Sequence, residues 1–151
     1  MEFAMNKKLM MLLMPVILGA CTYSSTTASN NTTTISEAAL QHHNWTLIQV
    51  DNHKLTDLQI KEKPNLEIGE NMRATGFAGC NHFFGQSILR ENQFKIEKMA
   101  ISQKMCFGQV MGIENILSDT LTQYSTIILY EDYLKLHNGT HQLIFKLNDY
   151  K

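Results

Sequence analysis

Hydrophobic and polar positions alternate along most of the chain beyond residue 40, and that rhythm breaks once. Trp45–Val50 (WTLIQV) reads as a first strand, closed by the turn-prone Asp51-Asn52-His53. Leu66–Ile68 and Met72–Gly76 flank Gly69-Glu70-Asn71 as a second hairpin. Phe83–Leu89 and Phe94–Met99 flank Arg90-Glu91-Asn92-Gln93 as a third. A period of two sends one of Phe83 and Phe84 to a core and the other outward. The break comes from Gly108 to Tyr124, where Val110, Ile113, Leu117, Leu121 and Tyr124 recur at steps of three and four. That spacing predicts an amphipathic helix, with Gly112 a weak point in its first turns. Thr126–Tyr130 is a further strand.

The stretch YLKLHNGTHQLIFKL predicts a last hairpin, with Asn138-Gly139 as its two central turn residues. That register pairs His137 with Thr140, Leu136 with His141 and Leu134 with Leu143. One face then carries Leu134, Leu136, His141, Leu143, Phe145 and Leu147, and the other is mostly polar, as an antiparallel sheet allows. Seven or eight antiparallel strands with one helix make an α+β domain, the helix lying across or inside a curled sheet.

The N-terminus follows a different logic. Lys7 and Lys8 precede an apolar run from Leu9 to Leu18, then Gly19, Ala20 and Cys21. The order is that of a secretory signal, and the run is too short for a bilayer core of ~30 Å. Leu18-Gly19-Ala20-Cys21 resembles the bacterial lipobox, which predicts a signal peptide over residues 1–20 and a lipidated Cys21. Residues 22–36 (TYSSTTASNNTTTIS) hold too little apolar surface to offset chain entropy, so 21–38 is expected to be a flexible tether and 39–151 the folded domain. Removing residues 1–20 takes away Lys7, Lys8 and Glu2 and turns the formal charge of −1 into −2. No basic patch or tail supports nucleic-acid binding.

Export also bears on the cysteines. With Cys21 lipidated, Cys80 and Cys106 remain, and in an oxidising compartment such a pair is by default a disulfide. Two other readings stay open. Cys80 and His82 could form an activated thiol pair, or His82 could join Cys80 at a metal. Neither has a third residue at a usual spacing, and no phosphate loop, dinucleotide fingerprint or serine nucleophile motif occurs. No catalytic residue, metal site or cofactor is therefore expected. Gly76 and Gly79 fit a tight, closely packed turn at Cys80, and Asn81 fits a role in satisfying that turn's backbone.

Trp45, Leu47 and Val50 as W-x-L-x-x-V, Gly79, Cys80, Asn81, Phe83 and Gly85 as G-C-N-x-F-x-G, and Cys106 after a polar-Met segment together resemble the META domain family. Within it, LQHHNWTL before the first strand resembles the HslJ-like heat-inducible envelope lipoproteins. His82 and Ser102 stand where the family often has Arg and Thr. The resemblance implies a curled, partly open antiparallel barrel with a packed helix, and no catalytic residue. It also implies an association with heat response and novobiocin resistance in the cell envelope, and Thr22 rather than Asp after Cys21 resembles the sorting pattern of lipoproteins on the periplasmic face of the outer membrane.

The leading expectation is therefore a monomeric, non-enzymatic lipoprotein that binds an envelope protein or an apolar ligand. The ligand version predicts a cavity lined by Leu117, Leu121, Leu143 and Phe145. A second expectation is an inhibitor of an exogenous hydrolase such as lysozyme, with residues 76–85 as an exposed plug. A third is a periplasmic thiol-redox protein using Cys80.

Overall fold

The structure is a computed structural model and describes residues 34–58 and 60–149. The predicted signal peptide, Cys21 and most of the tether lie outside the described residues.

Period-two patterns become strands β1 (His43–Val50), β2 (His53–Lys54), β3 (Asn65–Ile68), β4 (Arg73–Phe77), β5 (His82–Arg90) and β6 (Gln93–Ile101). Helix α1 (Gln109–Thr122) follows, then β7 (Ser125–Leu129), β8 (Tyr133–His137) and β9 (Gln142–Leu147). Pairing is antiparallel throughout and runs β1-β3-β4-β5-β6-β7-β8-β9, and β9 returns to β1. The sheet is thus a closed eight-stranded barrel, with β2 a short hairpin arm on β1. Closure is thinnest between β6 and β7, which share only the pairs Gln93–Thr126 and Phe94–Ser125. The rest of β6 diverges from β7, and α1 packs against β6 and reaches β9.

The inward positions of the strands form one continuous core, including Trp45, Leu66, Phe83, Phe94, Leu136 and Phe145, and α1 adds Ile113, Leu117 and Leu121. Phe83 points in at 2% exposure and Phe84 points out at 61%, as the alternation requires.

Three local expectations change. The β5–β6 connection is the two-residue turn Glu91-Asn92, because pairing extends to Arg90–Gln93. The last hairpin pairs Leu136 with Leu143 and Leu134 with Phe145, two residues from the predicted register. Its central turn residues are Gly139-Thr140, with Gly139 at φ +94° and the Asn138 N–H donating to the His141 carbonyl at 3.2 Å. Asn138 flanks the turn because its Oδ1 accepts the Thr140 and His141 amides at 3.0 and 2.7 Å. A slip of two keeps every side chain on its predicted face. Tyr124 leaves the helical stripe, since α1 ends at Thr122 and Gln123 is extended. Its ring instead lies outside, with Lys95 Nζ 4.4 Å from the ring centre.

The barrel has two distinct ends. At the entry end the chain comes in past the β5–β6 turn, where the Ile35 N–H donates to Asn92 Oδ1 at 3.3 Å. At the other end gather the connections 51–64, 78–81, 102–108 and 138–141.

The β1–β9 closure is latched at both ends by a histidine–aspartate pair. At the entry end His43 Nδ1 lies 2.6 Å from Asp149 Oδ2, and Asp149 Oδ1 accepts the Asn44 amide at 2.9 Å. At the loop end His141 Nδ1 lies 3.0 Å from Asp51 Oδ2, and Asp51 Oδ1 accepts the Gln142 amide at 2.8 Å. The Asn44 amide, with His43, holds the Asp149 carboxyl below the ordinary carboxylate range against a smaller opposing effect of burial. Burial alone would raise Asp51, but the Gln142 amide and His141 together outweigh it and lower it too. A carboxyl lowered by folding stabilises above its unfolded value of about 4, and the contribution is lost as pH falls through the folded value. The urea midpoint should therefore drop on acidification below about pH 4, and Asp51→Asn/Asp149→Asn should flatten that acid limb. Urea titrations across the acid range check this; both carboxylates are partly exposed, so the effect is modest.

Candidate functional site

The motif residues assemble at the loop end, around the β4–β5 connection. Gly79 holds φ +122°, and a Cβ there would lie 3.3 Å from the Val110 carbonyl, so the tight approach to α1 needs glycine. The Ala78 N–H donates to the Asn81 carbonyl at 2.8 Å and closes the turn. The Cys80 and Asn81 amides point at α1, where both donate to Glu114 Oε2 at 3.1 and 2.8 Å. Asn81 Nδ2 donates to Glu114 Oε1 at 2.8 Å. Glu114 is 6% exposed, so this carboxylate is buried and satisfied by three N–H groups of one turn.

Asn81 also reaches the β6–α1 loop, residues 102–108. Its Oδ1 accepts from Ser102 Oγ at 2.9 Å and from the Lys104 amide at 2.6 Å, and its Nδ2 donates to the Lys104 carbonyl at 3.1 Å. The His82 amide donates to Ser102 Oγ at 3.2 Å, and the Ser102 amide donates to the His82 carbonyl at 2.9 Å. Cys80 and Cys106 are joined by a disulfide with Cα atoms 6.0 Å apart. The loop is thus fixed at Ser102, Lys104 and Cys106. Between and beyond those points Met105 is 88% exposed and Phe107 87%. A shallow cleft of about 310 Å³ lies beside the bridge, lined by Ile60, Phe77, His82, Lys104, Cys106 and Val110 among others.

Each candidate residue from the sequence has a definite place. Gly79, Cys80 and Asn81 form the turn itself. Phe83 fills the barrel against Gly76, where a Cβ would stand 2.5 Å from the Phe83 ring. Gly85 sits opposite the bulge in β6, where a Cβ would stand 2.4 Å from Ile96 Cγ2. Leu117, Leu121, Leu143 and Phe145 are all fully buried in the shared core.

The proposed thiol pair does not assemble, since Cys80 sulfur is bonded to Cys106 and the His82 ring packs against Phe77 at 5.1 Å between centres. Residues 76–85 do not form an exposed plug either: Ala78, Cys80, Asn81 and Phe83 are all buried, and it is 102–108 that projects. His137 and His141 have separate partners, the His141 carbonyl and Asp51. Among the described residues no group of three His, Cys, Asp or Glu side chains could hold a metal. No helix among them is long and apolar enough to cross a membrane.

Sequence reasoning missed Glu114 and the projecting pair. For Glu114 a signal existed: it falls four residues after Val110 and three before Leu117, inside the apolar arc of the helix.

A closed antiparallel barrel plugged by one helix, with a Gly-Cys-Asn turn bolted to both the helix and a disulfide-closed loop, defines the class of protein. The chain belongs to the META domain family, whose family model matches residues 38–150. It is similar to a protein solved by NMR, at 26% identity and a TM-score of 0.65, over 74% of this chain and 94% of that one. A second NMR structure, of a protein from Burkholderia xenovorans, shares the fold at 16% identity and a TM-score of 0.61, over 75% of this chain and 86% of that one. No curated protein matches the chain.

Proposed function

We propose that this chain is a non-enzymatic binding module of the cell envelope. It is held by an acylated Cys21 at the periplasmic face of the outer membrane and engages an apolar partner through loop 102–108. In this reading it acts as a monomer without a cofactor and supports envelope integrity under heat or novobiocin stress. The observation that carries it is the display of Met105 and Phe107, at 88% and 87% exposure, on a loop that three fastenings hold still. Leaving two large apolar side chains in water is unfavourable by ~1.5–3 kcal/mol each relative to burial. A fold that rigidifies the segment bearing them, rather than letting them collapse, favours recognition of something that covers them. The G-C-N turn is then the support of a binding element and not a reactive centre.

In cells lacking the chain, Met105→Ser/Phe107→Ser should fail to restore growth at elevated temperature or in novobiocin while the wild type restores it. Unchanged thermal stability and an intact bridge in the double variant would exclude misfolding. Full rescue by it would remove the loop as the binding element. The anchor is checked separately: the mass of chain extracted from membranes should correspond to a tri-acylated polypeptide beginning at Cys21.

A further inference from the structure

The partner's chemistry is legible around the projecting pair. Loop 102–108 contains Lys104 and not one Asp or Glu, although acidic residues are as frequent as basic ones in the whole chain. The adjoining cleft adds Lys61 beside a single carboxylate, Glu62. The tip is therefore two apolar side chains with Lys104 next to Met105 and Lys61 on the adjoining cleft. Two side chains are a small contact for a protein partner, because a specific interface buries ~800 Å² on each side. A bilayer surface asks for less: apolar side chains enter the boundary between headgroups and acyl chains, and lysines sit among anionic headgroups.

Chain geometry permits this contact. The tether joins at the entry end, and β5, nine residues long, separates that end from the loop by ~30 Å. From Cys21 to the first described residue the chain can span at most ~45 Å, so an anchored domain can turn its loop end to its own membrane. A weak contact counts there, because the anchor makes it an intramolecular event.

We infer that loop 102–108 inserts Met105 and Phe107 into the surface of an anionic phospholipid bilayer, the one to which the chain is anchored. This rests on the anchored-module reading above. The test uses the full acylated chain carrying Phe107→Trp, reconstituted into vesicles of phosphatidylethanolamine and phosphatidylglycerol with brominated acyl chains. Trp45, the single native tryptophan, is 1% exposed and supplies a constant background. Insertion predicts a blue shift and about a twofold loss of emission from the introduced indole, greatest for bromines ~5–10 Å below the headgroups.

Vesicle flotation separates the two ideas. A chain that floats with that indole unquenched overturns the inference and leaves the anchor standing. A blue shift without quenching that appears only after an envelope protein extract is added overturns it in favour of a protein partner. A chain that does not float contradicts the anchor, and the loop is then decided by Cys21→Ser/Phe107→Trp with excess anionic vesicles. Quenching there upholds insertion, and no quenching overturns it.

Discussion

Replacing Asn81 by alanine should lower the unfolding free energy by about 3–5 kcal/mol, the largest effect expected of any single polar substitution here. The side chain is 3% exposed and joins three segments: its own turn, the β6–α1 loop and the helix. Alanine strands the Lys104 amide, which donates to Asn81 Oδ1 at 2.6 Å, and removes one of the three donors that offset the buried Glu114 charge. A neutral hydrogen bond contributes about 1 kcal/mol net, whereas an underpaired buried carboxylate costs several times that. Glu114→Gln should be milder, about 1–2 kcal/mol, because it removes the charge together with its need for donors. Urea unfolding of both variants checks the order. A smaller loss for Asn81→Ala than for Glu114→Gln would mean that the asparagine is not the centre of the network.

Removing the bridge should cost nearly as much. Cys80 and Cys106 are 26 residues apart, and closing a loop of that length contributes ~3.5 kcal/mol through the unfolded chain's lost entropy. Cys80→Ser/Cys106→Ser should therefore lower the urea midpoint strongly but leave a folded barrel, since the core lies on the strands and helix rather than on the bridge. At a temperature where the variant stays folded it should still support growth under envelope stress. Loss of function in a folded variant whose Lys104 amide keeps its wild-type protection would instead revive thiol chemistry at Cys80, because the loop would still be held.

Most of the architecture could be read from period alone, because a closed barrel buries one face of every strand. The pattern at Phe83-Phe84 needs no tertiary knowledge, and the period change after Gly108 marks the helix. The faces of the last hairpin survived an incorrect register because a slip of two preserves side-chain parity. That register depended on a side-chain hydrogen bond: Asn138 caps the turn from outside, so glycine moves to its first central position. Closure could not be read, since the β1–β9 pairing joins the two ends of the domain and leaves no local mark. Glu114 escaped notice because a carboxylate on a helix is ordinarily solvated. Only the turn folding over it supplies the donors that let it be buried. The display of Met105 and Phe107 was hidden for the opposite reason, since residues of that type are normally expected inside.

The central claim is that the Gly-Cys-Asn turn exists to hold loop 102–108 fixed in its exposed position. Native-state hydrogen exchange of the Lys104 amide tests it most directly. In the wild type this amide should exchange as slowly as those of the core strands β4 and β5, despite lying in a loop beside two nearly fully exposed side chains. In Asn81→Ala, under conditions where the barrel stays folded, it should exchange at least ~10-fold faster while the strand amides keep most of their protection. A Lys104 amide that already exchanges at the open-chain rate in the wild type would contradict the account, because the loop would then be neither held nor presented.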